Sequence, residues 1–223
     1  MKRVVFIAIL ATMLSLSLAV GGCGKSKKTT EKGEGAMSAP STSTPSASGQ
    51  LGPDGKPVKT LADFPDGQDG ANVEAVIKTA KGDIVVRFFP DVAPVTVASF
   101  LHLARSGFYN GLRFHRVEPT FVIQGGDPKS RDPNAADVGT GGPGYYLPAE
   151  FNNRPHKTGT LSMARSQDPN SGGSQFYICL ADQPSLDGKY TVFGETVSGM
   201  DVVQNIVPGD VINEIVIRPK SGG

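Results

Sequence analysis

The sequence predicts a mainly β domain, a sandwich or a closed barrel carrying two helices, behind a long N-terminal lead that does not fold. Three observations carry this. Short runs with strand character recur from Val73 onward, bounded by Gly and Pro. Two segments space their apolar residues as helices do. Nothing from Gly24 to about Gly70 shows apolar periodicity. The folded part is placed at residues 71–220. About 150 residues can bury roughly 70% of their unfolded surface, so one core is feasible without a disulfide.

The elements follow in order. Val73–Thr79 and Asp83–Phe89 are strand-like, and the turn between them contains Lys81-Gly82, a hairpin signal. Pro94 opens a helix, where its missing N–H costs nothing. Val97, Phe100, Leu101 and Ala104 fall at i, i+3, i+4 and i+7, and Gly107 ends the helix. Short strands are expected at Leu112–His115, Phe121–Gln124, Leu161–Met163, Phe176–Leu180 and Val192–Gly194. A second helix covers about Met200–Ile206, and Ile212–Arg218 alternates as a last strand. No internal repeat is visible. The Gly-rich stretch Gly139–Gly144 has no Lys-Ser/Thr after it and opens no helix, so it reads as turns rather than a phosphate cradle.

The lead divides in two. Lys2 and Arg3 precede the apolar run Val4–Ala19, which is short for a spanning helix and fits a secretory signal. Val20-Gly21-Gly22-Cys23 resembles a bacterial lipobox. Residues 1–22 are therefore expected to be a lipoprotein signal peptide, with Cys23 lipidated. Residues 23–70, rich in Lys, Ser, Thr, Pro and Gly, then form a disordered tether that cannot recover its ordering entropy by burial. The expected location is extracytoplasmic, anchored to the membrane by lipid. Because Gly24 rather than Asp follows the Cys, a two-membrane cell would place it on the outer membrane, by resemblance to known sorting rules.

A formal net charge of +1 gives no reason to expect a nucleic-acid partner. With Cys23 lipidated, Cys179 stands alone in an apolar strand and reads as a small hydrophobe. His102, His115 and His156 have no short metal-ligand spacing, so neither metal nor cofactor is expected. Ser162 and Ser174 lack a nucleophile-elbow context.

The most informative stretch is FHRVEPTFVIQGGD, Phe114–Asp127. It sets the permanent cation Arg116 among Phe114, Val117, Phe121, Val122 and Ile123, then adds the neutral amide Gln124 and a Gly pair. Taken alone, Arg116 reads as a side chain lying along the sheet with its head in water. A second stretch, Thr158–Leu180 (TGTLSMARSQDPNSGGSQFYICL), followed by Leu186–Gly194, changes that reading. Together these segments resemble the cyclophilins, the cyclosporin-binding class of peptidyl-prolyl cis-trans isomerases, from about Val73 to Arg218. The family's F-H-R-V-x-P-x-F-x-x-Q-G-G-D pattern matches at every specified position. Leu161–Ala164 and Gly173–Ile178 match two further pieces.

The resemblance implies a closed eight-stranded antiparallel barrel capped by two α-helices, and an isomerase acting on proline-containing polypeptides. By resemblance Arg116, Phe121 and Gln124 are catalytic. Phe121, Val122, Tyr177 and Leu186 hold the proline ring, while Ala164, Arg165 and Gln175 flank the residue before it, with Tyr190 nearby. The chain departs from the best-studied eukaryotic pattern at several of these positions. Val122 stands for Met, Tyr177 for Phe, Arg165 for Asn, Tyr190 for His, and Ser185 for the drug-binding Trp. Weak cyclosporin binding is therefore expected. The implied role is folding of exported proteins, by a monomer. The alternative is a non-catalytic module that binds proline segments at the membrane.

Overall fold

The computed structural model describes residues 50–52 and 54–220. The expected signal segment, Cys23 and the expected tether through residue 49 lie outside the described residues. Eight strands form one sheet: β1 (Val73–Thr79), β2 (Gly82–Phe88), β3 (Arg116–Glu118), β4 (Val122–Gly125), β5 (Thr160–Met163), β6 (Phe176–Cys179), β7 (Val192–Ser198) and β8 (Glu214–Pro219). Helix α1 spans Pro94–Arg105 and α2 spans Met200–Asn205. The strand order is β3-β4-β6-β5-β7-β2-β1-β8, and every pairing is antiparallel.

The sheet is an open half-barrel, which corrects the expected closed barrel. The edge strands β3 and β8 share no ladder. Only the segments before them meet, through one bridge between Arg113 and Val211. Ile212 N–H donates to the Leu112 carbonyl (2.7 Å) and Phe114 N–H to the Asp210 carbonyl (2.9 Å). Gly111 (φ 78°) and Gly209 (φ 93°) bend the two approaches, so regular pairing cannot propagate into the strands. The strand expected at Leu112–His115 accordingly starts later, at Arg116.

The largely aliphatic core contains a cluster of aromatic rings around α1. The Phe100 ring, on α1, lies 5.6 Å from Phe88, 5.0 Å from Tyr109, 5.6 Å from Phe176 and 5.5 Å from Phe193. All four residues on the expected inner face of α1 are buried, but Ala98, Ser99 and Leu103 are buried too. The cause is upstream of β1. Two short 3-10 turns, Leu61–Asp63 and Pro65–Gly67, pack on the outer side of α1. Phe64 between them is 2% exposed, with its ring 5.5 Å from Tyr145 and 5.7 Å from His102. A Cβ on Gly67 would meet the Ala98 carbonyl oxygen at 2.1 Å, so only glycine allows this approach. The expected tether boundary at residue 70 is thus corrected. Residues from Pro57 onward belong to the folded body, with Val58 bridged to Tyr146. Sequence periodicity missed this because one aromatic residue, not a repeating face, does the anchoring.

Candidate active site

Register builds the site. Arg116 pairs with Gln124 across β3–β4, Gln124 with Tyr177 across β4–β6, and Tyr177 with Ser162 across β6–β5. Directly opposed residues share a face, so these four side chains form one row across the sheet. Alternation adds Val122 and Cys179 to that face, and the two form a small buried cluster with Tyr177. Phe121, Ala164, Leu186 and Tyr190 pack on the cluster. Phe121 follows Thr120, whose φ is 63°. A β-branched residue there is strained, and the tight turn is closed by Phe121 N–H donating to the Glu118 carbonyl (2.9 Å).

The result is a cavity of about 240 Å³ lined by Arg116, Phe121, Val122, Gln124, Ala164, Arg165, Tyr177, Leu186 and Tyr190. Of the ten side chains expected at the site, nine meet there. The tenth, Gln175, lines an adjoining cavity of about 330 Å³, which shares Gln124, Ala164 and Arg165 with the first.

Arg116 is not buried: its side chain is 45% exposed, with its guanidinium 5.7 Å from the Phe121 ring. It donates to Gln124 Oε1 at 3.3 Å, and Nε lies 3.5 Å from Glu118 Oε1. These long contacts leave donors free to turn toward a ligand. Gln124 is oriented from behind. Its Nε2 donates to Gln175 Oε1 (2.9 Å), and Gln175 Nε2 donates to the carbonyls of Gly139 and Gly141 (both 2.9 Å). Those carbonyls are placed by Asp127. Its buried carboxylate accepts from the backbone N–H groups of Lys129, Gly139 and Gly141, which satisfies the charge. The Gly-rich stretch read as turns therefore braces the site amide. Gly126 ties the same corner together. Its φ is 88°, a Cβ there would meet the Ser174 carbonyl oxygen at 2.2 Å, and its own carbonyl accepts from Ser174 Oγ (2.7 Å).

Arg165 lies on the opposite rim. It donates to the Lys189 carbonyl (2.9 Å) with its guanidinium 4.6 Å from the Tyr190 ring. Ser185, on the turn Pro184–Leu186, does not line the cavity. Burial pushes the Cys179 thiol up to about 12, so it is not a thiolate nucleophile. Among the described residues no three His, Cys, Asp or Glu side chains gather as a metal site. Sequence reasoning read His156 as a structural or surface residue with no part in the site; it is buried behind Tyr177. No local motif could reveal it, since its partners Tyr177 and Asp187 lie 21 and 31 residues away.

A cation and a braced amide beside the apolar side chains of Phe121, Val122 and Leu186 suit a ligand with an apolar ring and one polar backbone. The model of the cyclophilin type peptidyl-prolyl cis-trans isomerase/CLD family matches residues 75–220. The chain belongs to that family. A relative from Synechococcus elongatus, named peptidyl-prolyl cis-trans isomerase, is 48% identical over 146 residues, covering 65% of this chain and 95% of its own. The Bacillus subtilis peptidyl-prolyl cis-trans isomerase B is 46% identical over 137 residues, covering 60% and 90%. The crystal structure of a Cryptosporidium parvum cyclophilin superposes with a TM-score of 0.60 at 31% identity, covering 67% of this chain and 99% of that one. A structure of the same protein in the presence of the dipeptide Ala-Pro gives 0.56 at 32% identity, with the same coverage. In this cyclophilin the matched region begins in β1, so the packed turns around Phe64 lie outside it.

Proposed function

We propose that this cyclophilin isomerises X-Pro bonds by holding the proline ring in the 240 Å³ cavity while Arg116 stabilises the twisted amide. The activity is that of the family. The mechanism rests on one observation, the Arg116–Gln124 pair in the same cavity as the apolar side chains of Phe121, Val122 and Leu186. Rotation about a peptide bond meets a barrier of about 18–20 kcal/mol because resonance gives it double-bond character. Twisting returns a lone pair to the prolyl nitrogen. A guanidinium N–H aimed at that nitrogen binds the twisted amide better than either planar form, and it never surrenders its proton. Phe121, Val122, Tyr177 and Leu186 grip the ring, Gln124 bonds the substrate backbone, and the adjoining cavity with Ala164, Arg165 and Gln175 receives the residue before proline. The decisive experiment is isomerisation of an X-Pro tetrapeptide by Arg116→Ala. The expected result is a folded protein with kcat/KM lower by at least about 10²-fold. A folded variant with near-normal turnover removes Arg116 from the mechanism.

The cellular role we propose is folding of exported proteins by a monomer tethered through lipid on Cys23. This rests on the signal-like run Val4–Ala19 and the lipobox-like Val20–Cys23. Cys23→Ser should release the protein to the soluble extracytoplasmic fraction or stall its processing. A wild-type protein found soluble, with an N-terminus other than Cys23, rules the anchor out.

A further inference from the structure

We propose that His156 is a positioning residue for the proline-ring cavity, fixing the Tyr177 wall through its hydroxyl while being held itself by Asp187. The inference rests on reading that cavity as the ring site.

His156 is 1% exposed. Its Nδ1 lies 2.9 Å from Asp187 Oδ1, and its backbone N–H donates to the same oxygen at 2.7 Å. An ionised carboxylate only accepts, so the hydrogen-bond network assigns the ring proton to Nδ1 and leaves Nε2 as an acceptor. Two hydroxyls face Nε2: Tyr177 at 3.1 Å and Ser162 at 3.4 Å. Ser162 has one proton and gives it to the Thr191 carbonyl at 2.8 Å. The Tyr177 O–H therefore donates to Nε2. Burial pushes the Tyr177 phenol far above its ordinary value, so it keeps that proton. The bonds from His156 hold Asp187 below the usual carboxylate range.

The same imidazole faces two residues of the cavity wall and is bonded to the neighbour of a third. It lies nearly parallel to the Tyr177 ring, 6.1 Å between centroids and 17° between planes. Tyr190 meets both rings edge-on, at 6.5 Å and 5.9 Å. Asp187 directly follows Leu186, which lines the cavity. A phenyl ring at position 177 would be held by packing alone. The hydroxyl adds a directional bond from behind, so the wall is set before substrate arrives and less ordering remains to be done on binding. A wall that grips the ring equally in planar and twisted amides affects KM more than kcat.

The test measures kcat and KM of the full chain on an X-Pro tetrapeptide for Tyr177→Phe, His156→Gln, Asp187→Ala and their pairs. The expected result is a KM raised about 3- to 10-fold in each single variant, with kcat within about twofold, the scale of one lost hydrogen bond. Each pair should be no worse than its worse member, as residues acting through one another require. If His156→Gln does not fold, the cycle between Tyr177→Phe and Asp187→Ala carries the same decision. An unchanged KM in Tyr177→Phe, or additive effects in the pairs, overturns the proposal even when Arg116→Ala abolishes turnover. An Arg116→Ala protein that stays fully active overturns the reading of the cavity, and this inference with it.

Discussion

Ser185 sits beside Leu186 on the turn Pro184–Leu186, with its carbonyl accepting from Lys189 Nζ at 2.9 Å. At this position the cyclophilins that bind cyclosporin tightly are expected to place a Trp. A Trp can bury 150–250 Å², so its absence removes several kcal/mol of contact at about 25 cal/mol per Å² as an upper bound. Each 1.4 kcal/mol is tenfold in affinity, so the wild type should be inhibited about 10²-fold less strongly than Ser185→Trp. Peptide turnover should change little, because Ser185 lies outside the ring cavity. Inhibition curves for both proteins in one assay decide this. Equal sensitivity would shift the cause to Val122, Arg165 or Tyr190.

At the scale of elements, α1 shows what a chain reveals locally and what it hides. Pro94 at its start and the left-handed Gly107 after its end (φ 72°) act on their immediate neighbours, so both boundaries are legible in the sequence. Its cap is not. Ala93 has no side-chain acceptor, and Glu150, from a loop 54 and 55 residues away, accepts from the Thr96 N–H (2.8 Å) and Val95 N–H (2.9 Å). Glu150→Ala leaves both donors without their partner. It should lower stability by about 1–2 kcal/mol, read as a fall in Tm of a few degrees. An unchanged melting curve would show that water replaces the carboxylate. Burial lifts the Glu150 carboxyl above its ordinary value of 4.5 despite these bonds. Between 4.5 and the raised value the folded state holds a proton that the unfolded state has lost. Stability from this group therefore falls as pH climbs through that window, and Glu150→Gln should remove that segment of the stability profile. The site divides the same way. Arg116, Phe121 and Gln124 stand in one run of sequence, whereas the Asp127 brace of Gly139 and Gly141 and the His156 contacts exist only once distant loops meet.

For the molecule as a whole, the correction upstream of β1 matters most. The turns Leu61–Gly67 are held to α1 by Phe64, and Arg105 Nη2 donates to Asp69 at 2.7 Å. Phe64→Ala should cost about 3–5 kcal/mol, the range for emptying a buried aromatic site. A protein beginning at Ala71 should melt at least about 10 °C lower than one beginning at Gln50. Equal melting temperatures would mean that the turns merely rest on the surface. Where the body begins also sets the length of the leash. If lipid sits on Cys23, the chain between it and the folded body is the 33 residues from 24 to 56, not the 47 from 24 to 70. At no more than about 3.6 Å per residue its span is capped near roughly 120 Å rather than roughly 170 Å. An isomerase so anchored would meet chains only within that reach of the bilayer, at a local concentration far above what the same copies would have if dispersed through the compartment.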